Sequence, residues 1–422
     1  MLHRDIPILH STAFINRSLS HAYPNGTHTS LDTSHLLYLS LPAAIHSRAN
    51  QRAFTMLFAS GLLLVVSLLT DVFAFPTSSC NSHRRAGVVP TLSGPTADMT
   101  SGQGGTYPRI NFLSDGSIIG AFTAFSGGDN VLTSVHSTDS GASWTTIGTA
   151  ASGPSASNDL DNPFPIQLPS GTVLLACRNH DFKPGSSPRV YTEYRITVLA
   201  STDHGATWSF LSTPNSHAAT TTNNGLWEPF MRISDDGSLQ LFYSEEDAAD
   251  DQNTMMQVST DGGSTWSAPV MVTGDGVTAR DGMVGIATVS GRDLLMVFES
   301  VPPGGTFTVN AVSSTDDGLT WTDRRLVYAP TGSNNNAGAP QVVNVGGTLC
   351  VSFMTDEDTQ DHMWITGAGA KLVTGTDGQT FGNKLEVFAP QTDWPGMLAL
   401  DDGDLLYVAD ASGSKAQRIS LS

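Results

Sequence analysis

The chain has 422 residues, of which 39 are acidic and 20 basic, so its formal net charge is −19 at pH 7. Such a negative field repels nucleic acids and anionic membrane surfaces, which favours neutral or cationic partners. Only 14% of the residues are charged, and glycine, serine, threonine and aspartate are abundant. This composition favours short strands joined by tight turns over long amphipathic helices, so we expect an all-β protein.

The first distinct segment is the apolar run MLFASGLLLVVSLLTDVFAFPTSS, which starts at Met56. Its length and the small residues before Phe75 are typical of a secretory signal peptide, which we place at residues 56–74. The alternative is an internal membrane anchor, against which Asp71 and the shortness of the run argue. Residues 1–55 are interpreted as an upstream extension, either disordered or a mis-assigned start, and residues 75–99 as a lead-in. The mature protein is therefore expected to be secreted and extracellular.

From residue 100 onward, one pattern occurs six times: a strand, a short turn centred on glycine, and a second apolar strand. This is the sequence form of a β-hairpin. The turn glycines are Gly116, Gly171, Gly237, Gly291, Gly347 and Gly403. A repeat of about 55 residues in an all-β sequence is typical of propeller blades with about four strands each. We predict a six-bladed β-propeller with four antiparallel strands per blade over residues 100–422.

A second repeat lies between these hairpins. It reads STDSGASW from Ser137, STDHGATW from Ser201, STDGGSTW from Ser259 and STDDGLTW from Ser314, with a degenerate copy from Gly375. At this point of a blade the third strand turns into the fourth. The aspartate can accept hydrogen bonds from the backbone of the turn, the glycine supplies a positive φ, and the tryptophan packs between strands. We interpret the motif as structural rather than catalytic.

Both kinds of turn are expected on one face of the propeller, so the opposite face should carry the functional side chains. That face collects the starts of first strands and the ends of second strands. The first strands supply Tyr107, Arg109, Asp161, Asn162, Trp227, Glu228, Arg280, Asp281 and Trp394, and the second strands supply Arg178, Asn179, His180, Asp181, Glu246 and Glu299. Grouping so many charges in one place costs free energy unless they are solvated or paired, which favours a binding site. The alternative is that this rim is only a solvent-exposed charged surface.

Glu228 and Glu299 stand out within this set, because each adjoins large apolar residues that can raise a carboxyl pKa by desolvation. Two carboxyl groups across a funnel are what glycoside cleavage requires, one as the acid and the other as nucleophile or base. Glu245 and Glu246 are adjacent on a strand, so only one of them can point toward the axis. Either of these is an alternative to Glu299.

The S-T-D-x-G-x-[ST]-W copies resemble the turns of Asp-box propellers, the sialidase-like superfamily, over residues 100–415. Sialidases bind the sugar carboxylate with three arginines, and Arg109 in YPRI is similar to the first of these. No arginine occurs between Arg325 and Arg418, so the last two predicted blades contribute none. An exo-sialidase is therefore an alternative rather than the main interpretation.

The segments YPRI, CRNHD, GLWEPFM, YSEED and RDGM are more similar to glycoside hydrolase family 93, the exo-α-1,5-L-arabinanases. The resemblance implies a retaining enzyme that trims linear α-1,5-L-arabinan, a neutral polysaccharide, from a chain end and releases arabinobiose. It also implies that Glu228 is the general acid/base and Glu299 the nucleophile. In a retaining enzyme the two carboxyl groups lie about 5 to 5.5 Å apart.

The other residues of the rim are expected to bind sugar hydroxyls or to hold the two glutamates. Trp227 and Trp394 can stack on sugar rings or belong to the core, and His180 fits a structural role equally well. Neither the rim carboxylates nor the three cysteines have the spacing of a metal site, and retaining hydrolysis needs no cofactor. We expect a monomer that binds neither nucleic acid nor membrane. A carbohydrate-binding propeller without activity is the non-enzymatic alternative.

Overall fold

The computed structural model describes residues 88–220, 224–359 and 363–421. In these ranges the chain forms 24 strands and no helix. No helix that could cross a bilayer occurs in this part of the chain. The predicted upstream extension, the signal peptide and Cys80 lie outside the described residues.

The first strand is β1 (Thr91–Asp98), and the following strands form meanders in chain order. One sheet contains β2 (Thr106–Phe112), β3 (Ile118–Ser126), β4 (Asp129–Ser137) and β5 (Thr145–Pro154), and the next contains β6 (Asn158–Gln167), β7 (Val173–Phe182), β8 (Tyr191–Ser201) and β9 (Ser209–Ala218). An eight-stranded sheet contains β10 (Leu226–Ile233), β11 (Leu239–Ala248), β12 (Asp251–Ser259), β13 (Val270–Thr273), β14 (Arg280–Ser290), β15 (Asp293–Val301), β16 (Thr308–Ser314) and β17 (Thr322–Tyr328). The last two sheets contain β18 (Ala337–Val345), β19 (Thr348–Thr355), β20 (Gly369–Gly375) and β21 (Gly382–Phe388), and then β22 (Asp393–Ala399), β23 (Leu405–Asp410) and β24 (Ser414–Ser420).

The predicted all-β propeller is confirmed, with the strands grouped in five sheets. Pairing is antiparallel except within the eight-stranded sheet, where a single parallel bridge between Gln252 and Arg280 joins β12 to β14. Each half of that sheet is a four-stranded meander, because β13 pairs with β12 and β17 pairs with β16.

The two ends of the described chain meet in one sheet. β1 pairs with β24 and becomes the outermost strand of the sheet that β22 begins. The sheets therefore start at Thr91 rather than at residue 100, and the predicted lead-in of 75–99 contains a strand of the propeller. This pairing covers the backbone edge that β24 would otherwise expose.

The core lies between neighbouring sheets. Its largest fully buried side chains include Phe122, Tyr243, Phe298, Phe353 and Tyr407, each from the second strand of a meander. Second strands are covered by a sheet on both faces, so their sequences are nearly continuous apolar runs. Their charged residues are concentrated toward the end that faces the site, as in CRNHD of β7 and SEED of β11.

The repeated S-T-D-x-G turns have the predicted structure. Asp139 accepts the Ser137 hydroxyl and the Ser143 N–H through one oxygen, both at 2.8 Å, and Trp144 donates to the Gly141 carbonyl at 3.1 Å. The same bonds recur around Asp203, Asp261 and Asp316. These carboxylates are therefore occupied in holding their own turns.

The turns also connect neighbouring sheets. Ser134 of β4 donates to the Gly205 carbonyl at 2.7 Å, and Ser212 of β9 donates to the Gly263 carbonyl at 2.5 Å. A repeated turn also contacts a glycine hairpin, because Asp317 accepts the N–H of Asp235 at 2.7 Å. The two kinds of turn thus share a face of the propeller, as predicted.

Candidate active site

A bulge in the first strand of every meander builds the opposite face. In β2, β6, β10, β14, β18 and β22 the pairing with the next strand shifts near the strand start. Each bulge places one non-glycine residue at left-handed φ: Tyr107, Asn162, Glu228, Met283, Ala339 and Trp394, with φ between 42° and 56°. All but Met283 precede proline. Proline has no N–H to donate, so it is tolerated where a bulge interrupts the hydrogen bonds between two strands. Strained backbone of this kind is typical of functional sites.

Three of these left-handed residues, Met283, Ala339 and Trp394, bond through the backbone N–H to the second strand of the preceding meander. The N–H of Asn162 instead donates to Asp161 at 2.7 Å. Ser244 of β11 accepts the N–H of Met283 at 3.3 Å, and the sulfur of Met354 in β19 accepts the N–H of Trp394 at 3.4 Å. Glu299 occupies the equivalent place in β15. The repeat thus fixes one backbone position, and the sequence decides which side chain occupies it.

Glu299 receives the amide of Ala339 on its Oε2 atom at 2.7 Å. Gly338 leaves room for this bond, because a Cβ atom at that position would meet the same carboxylate oxygen. Burial raises the pKa of Glu299 to about 7, although the Ala339 N–H and the Arg280 charge favour the ionised form. The residue is half-buried rather than fully enclosed.

Glu228 lies at the bulge of β10 and is also partly exposed. Burial and the charge of Glu299 raise its pKa to about 8, against the opposing charges of Arg178 and Arg280. The structure thus brings the two predicted catalytic glutamates into one site, where each has a raised pKa. The desolvation that the apolar neighbours predicted is confirmed for both.

A charged network lines the site beside β6 and β7. Arg178 donates to Asp159 at 3.2 Å and to Asp161 at 3.1 Å. Asp159 also pairs with Arg189 at 2.9 Å and accepts the Tyr191 hydroxyl at 2.7 Å. Although burial opposes the shift, the two arginines hold the pKa of Asp159 at about 2. Sequence reasoning missed Asp159 and Tyr191, although Asp159 stands two residues before Asp161 and so shares its face of the strand.

Arg280 is held by Glu246 at 2.6 Å and by Gln252 at 2.7 Å. The second oxygen of Glu246 accepts the N–H of Gly225 at 3.0 Å. Glu246 therefore positions the guanidinium whose charge acts on both Glu228 and Glu299. Both of its oxygens are occupied in this way.

Arg109 is only 3% exposed and donates to the backbone carbonyls of Pro108 at 2.8 Å and Trp394 at 3.1 Å. Its guanidinium lies over the Tyr107 ring, 4.0 Å from the centroid. No carboxylate forms a salt bridge with it within the described ranges. By contrast, Arg178 and Arg280 are ion-paired, so the site does not present three free arginines to an anion.

His180 is completely buried and accepts the N–H of Arg195 on Nδ1 at 3.2 Å. Burial lowers its pKa to about 3, so the imidazole is neutral at pH 7. Its ring lies edge-on to Trp227 and Tyr194, with centroids 5.1 and 5.0 Å away. This environment fits the structural alternative for His180 and places Trp227 in the same aromatic cluster.

Three other predicted residues have protein partners. Asp281 is completely buried, and both carboxylate oxygens bond to Arg324. Asn179 accepts from Asn158 at 2.8 Å, and Asp181 pairs with Arg195 at 2.8 Å on the outer part of the rim. Of these three, Asp281 does not reach the surface of the site.

The other side of the site is apolar. Tyr107, Met283, Ala339, Met354 and Ala368 form a buried cluster, against which Trp364, Ile365 and Trp394 pack. Four of the six left-handed residues belong to this apolar group: Tyr107, Met283, Ala339 and Trp394. The ring centroids of Tyr107 and Trp394 are 6.0 Å apart. Sequence reasoning missed Trp364, because it lies between β19 and β20 outside both repeats. The site thus combines a charged side with an apolar wall.

The thiols of Cys177 and Cys350 are free and buried, and burial raises the pKa of each to about 12. Among the residues that the structure describes, no three His, Cys, Asp or Glu side chains are placed to hold a metal ion.

A family model, the BNR repeat-like domain, matches residues 122–354, which is more than half of the chain. The chain belongs to the BNR repeat-like family. No curated protein matches this BNR repeat-like protein in sequence. The α-L-arabinanase of Penicillium chrysogenum, solved in complex with arabinobiose, is 21% identical with a TM-score of 0.58, covering 79% of this chain and 97% of that one.

The GH93 α-L-arabinofuranosidase of Fusarium graminearum, also in complex with arabinobiose, is 23% identical with a TM-score of 0.56, covering 79% and 98% of the two chains. A K499G mutant of the NanB sialidase from Streptococcus pneumoniae is 11% identical with a TM-score of 0.53, covering 78% and 70%. At these identities the likenesses establish the propeller fold of the BNR repeat-like protein.

Proposed function

We propose that the protein is a retaining glycoside hydrolase that acts from the end of linear α-1,5-L-arabinan and releases arabinobiose. The observation that carries the proposal is the placement of Glu228 and Glu299 in one site, partly exposed, with raised pKa values of about 8 and about 7. Carboxyl groups whose environments separate their pKa values are suited to divide acid and nucleophile roles between them.

We propose the two roles from the environments of the two carboxyl groups. Glu228 has the higher pKa and keeps its proton more readily, which suits a general acid. Glu299 accepts the Ala339 N–H on one oxygen, which favours the ionised carboxylate that a nucleophile needs. In the first step Glu228 protonates the leaving oxygen while the Glu299 carboxylate attacks the anomeric carbon. In the second step Glu228 takes a proton from water, which displaces Glu299 from the sugar.

A neutral sugar suits the charges of the site. Arg178 and Arg280 are already paired with carboxylates, so hydroxyl groups, rather than an anion, are the matching ligands. The likeness to two proteins solved with arabinobiose supports arabinan as the polymer. The remaining candidates for binding sugar hydroxyls on the charged side are Asp161, Asn162, Arg178 and Asn179.

We further propose that the eight-stranded sheet is two blades, which gives a six-bladed propeller. The single bridge between its halves and the six equivalent bulges support this count. The chain is proposed to be secreted through a signal peptide at residues 56–74 and to act as a monomer without a cofactor.

A chromatographic product assay on residues 75–422 tests the function, with linear α-1,5-arabinan and a sialylated oligosaccharide offered in parallel. Arabinobiose with retained anomeric configuration by NMR is the expected result. Internal cleavage products would contradict exo action, and an inverted product would contradict the nucleophile role of Glu299. Release of sialic acid would indicate a sialidase instead. Binding of either glycan without cleavage would favour a carbohydrate-binding propeller.

A further inference from the structure

Trp364 is the one large aromatic side chain of the apolar wall that comes from outside the repeats. It lies in the connection between β19 and β20, and the residue is half-buried. Phe307 stacks on one face of the indole, with centroids 5.7 Å apart and an interplanar angle of 25°. The ring is therefore supported from one side.

Hydrogen bonds hold both Phe307 and the turn that carries Trp364 in place. The N–H of Phe307 donates to Asn336 at 2.9 Å, and its carbonyl accepts the N–H of Ala337 at 2.9 Å. The turn that carries Trp364 closes through the N–H of Gly367, which donates to Met363 at 2.7 Å. An aromatic ring held in this way loses little conformational freedom when it binds a ligand.

The ring also stands beside the proposed nucleophile. Its Cη2 atom lies 3.1 Å from the place that a Cβ on Gly338 would occupy, and Oε2 of Glu299 lies next to the same place. A sugar whose anomeric carbon approaches Glu299 therefore comes within reach of the indole.

We propose that Trp364 binds the sugar ring next to Glu299 by stacking on its apolar C–H face, with Phe307 holding the indole in place. This inference rests on the proposed glycosidase function and adds a recognition residue to the same site. The hydroxyl groups of that sugar then face the charged side, around Arg178 and Asp161. Apolar pockets with a few convergent polar groups are the usual form of small-ligand sites.

Titration of neutral oligosaccharides into the Glu228→Gln protein tests the proposal, because binding is then measured without turnover. The panel contains arabino-, xylo- and galacto-oligosaccharides. On this background Trp364→Leu is expected to weaken binding about two- to tenfold, the range of one aromatic contact. Trp364→Phe, which keeps a flat ring, is expected to retain most of the affinity. Phe210→Ala, which removes a 66% exposed aromatic ring on β9, is the matched control and is expected to change nothing.

Equal affinity in the Leu and Phe variants would overturn the stacking role, because both keep apolar volume and only one keeps the flat ring. In the active protein, stacking predicts a higher KM with an unchanged pH profile, whereas a shifted pH profile would mean that Trp364 only positions Glu299. If the parent binds xylo- or galacto-oligosaccharides but no arabino-oligosaccharide, the arabinan proposal fails. The Trp364 proposal is then tested by comparing the Leu and Phe variants with the oligosaccharide that does bind. A parent that binds no member of the panel overturns both.

Discussion

The two faces of the propeller use carboxylates in opposite ways. On the turn face, Asp203 and Asp261 are exposed, and hydrogen bonds from threonine and serine donors lower the pKa of each to about 2. On the site face, burial raises the pKa of Glu228 to about 8 and that of Glu299 to about 7. A repeated turn satisfies its own acidic residue, whereas Glu228 and Glu299 are buried with few hydrogen-bond donors around them. Asp159 on the same face differs from them, because two arginines hold it ionised. The difference separates the groups that fold the chain from those available for chemistry.

The largest effect is expected from neutralising the catalytic pair. Glu228→Gln and Glu299→Gln should each lower kcat/KM on arabinan by about 10²- to 10⁴-fold, the usual contribution of a positioned catalytic group. Steady-state kinetics on the purified variants measures the loss. Asp203→Asn on the other face is the control, and a comparable loss there would contradict the separation of the two faces.

Gly338→Ala is expected to have the next largest effect. The added Cβ meets the oxygen of Glu299 that accepts the Ala339 N–H, so the carboxylate must move. A displacement of about 1 Å in a catalytic group can cost about 10²-fold in rate. Gly382→Ala in β21, where a Cβ meets nothing within 4 Å, is the matched control in the same sheet. Equal kcat values in the two variants would show that the position of Glu299 is not limiting.

The pH dependence sharpens the comparison further. Activity requires ionised Glu299 and protonated Glu228, so kcat/KM should fall as the pH drops below about 7 and as it rises above about 8. The two apparent pKa values belong to the coupled pair. Arg280→Gln removes a cation that favours both carboxylates, so both limbs should move to higher pH. Limbs that stay in place would contradict the role of Arg280 in the site.

The smallest effect is expected on the turn face. Asp203→Asn removes the charge that strengthens the hydrogen bonds of its turn. It should therefore lower the melting temperature slightly and leave kcat/KM unchanged. Because the folded pKa of Asp203 is below its ordinary value, the stabilisation is present above about pH 4 and is lost as the pH falls toward 2. The melting temperatures of variant and parent should therefore converge on acidification, and a constant difference down to pH 2 would contradict this origin.

The repeats made most of the fold predictable. Spaced glycines and the S-T-D-x-G turns are local signals, because each motif satisfies its own backbone, as Asp139 does. The contribution of β1 to the last sheet was not predictable, because pairing across more than 300 residues has no local pattern. The placement of Glu228 and Glu299 in one site was predictable because strand ends converge at one face of a propeller. The environment of Asp281 was not predictable, because its partner Arg324 lies on an outer strand far along the chain. Trp364 was not predictable either, because it lies in a connection outside the repeats.

Peptide mapping of a trapped glycosyl-enzyme tests the central claim most directly. Glu228→Gln slows the second step, so brief reaction with an activated arabinobioside followed by acid quench should preserve the covalent intermediate. The account predicts one added arabinobiosyl group on the peptide that contains Glu299. An adduct on Glu245 or Glu246 would move the nucleophile to β11, and turnover without any adduct would contradict the retaining mechanism.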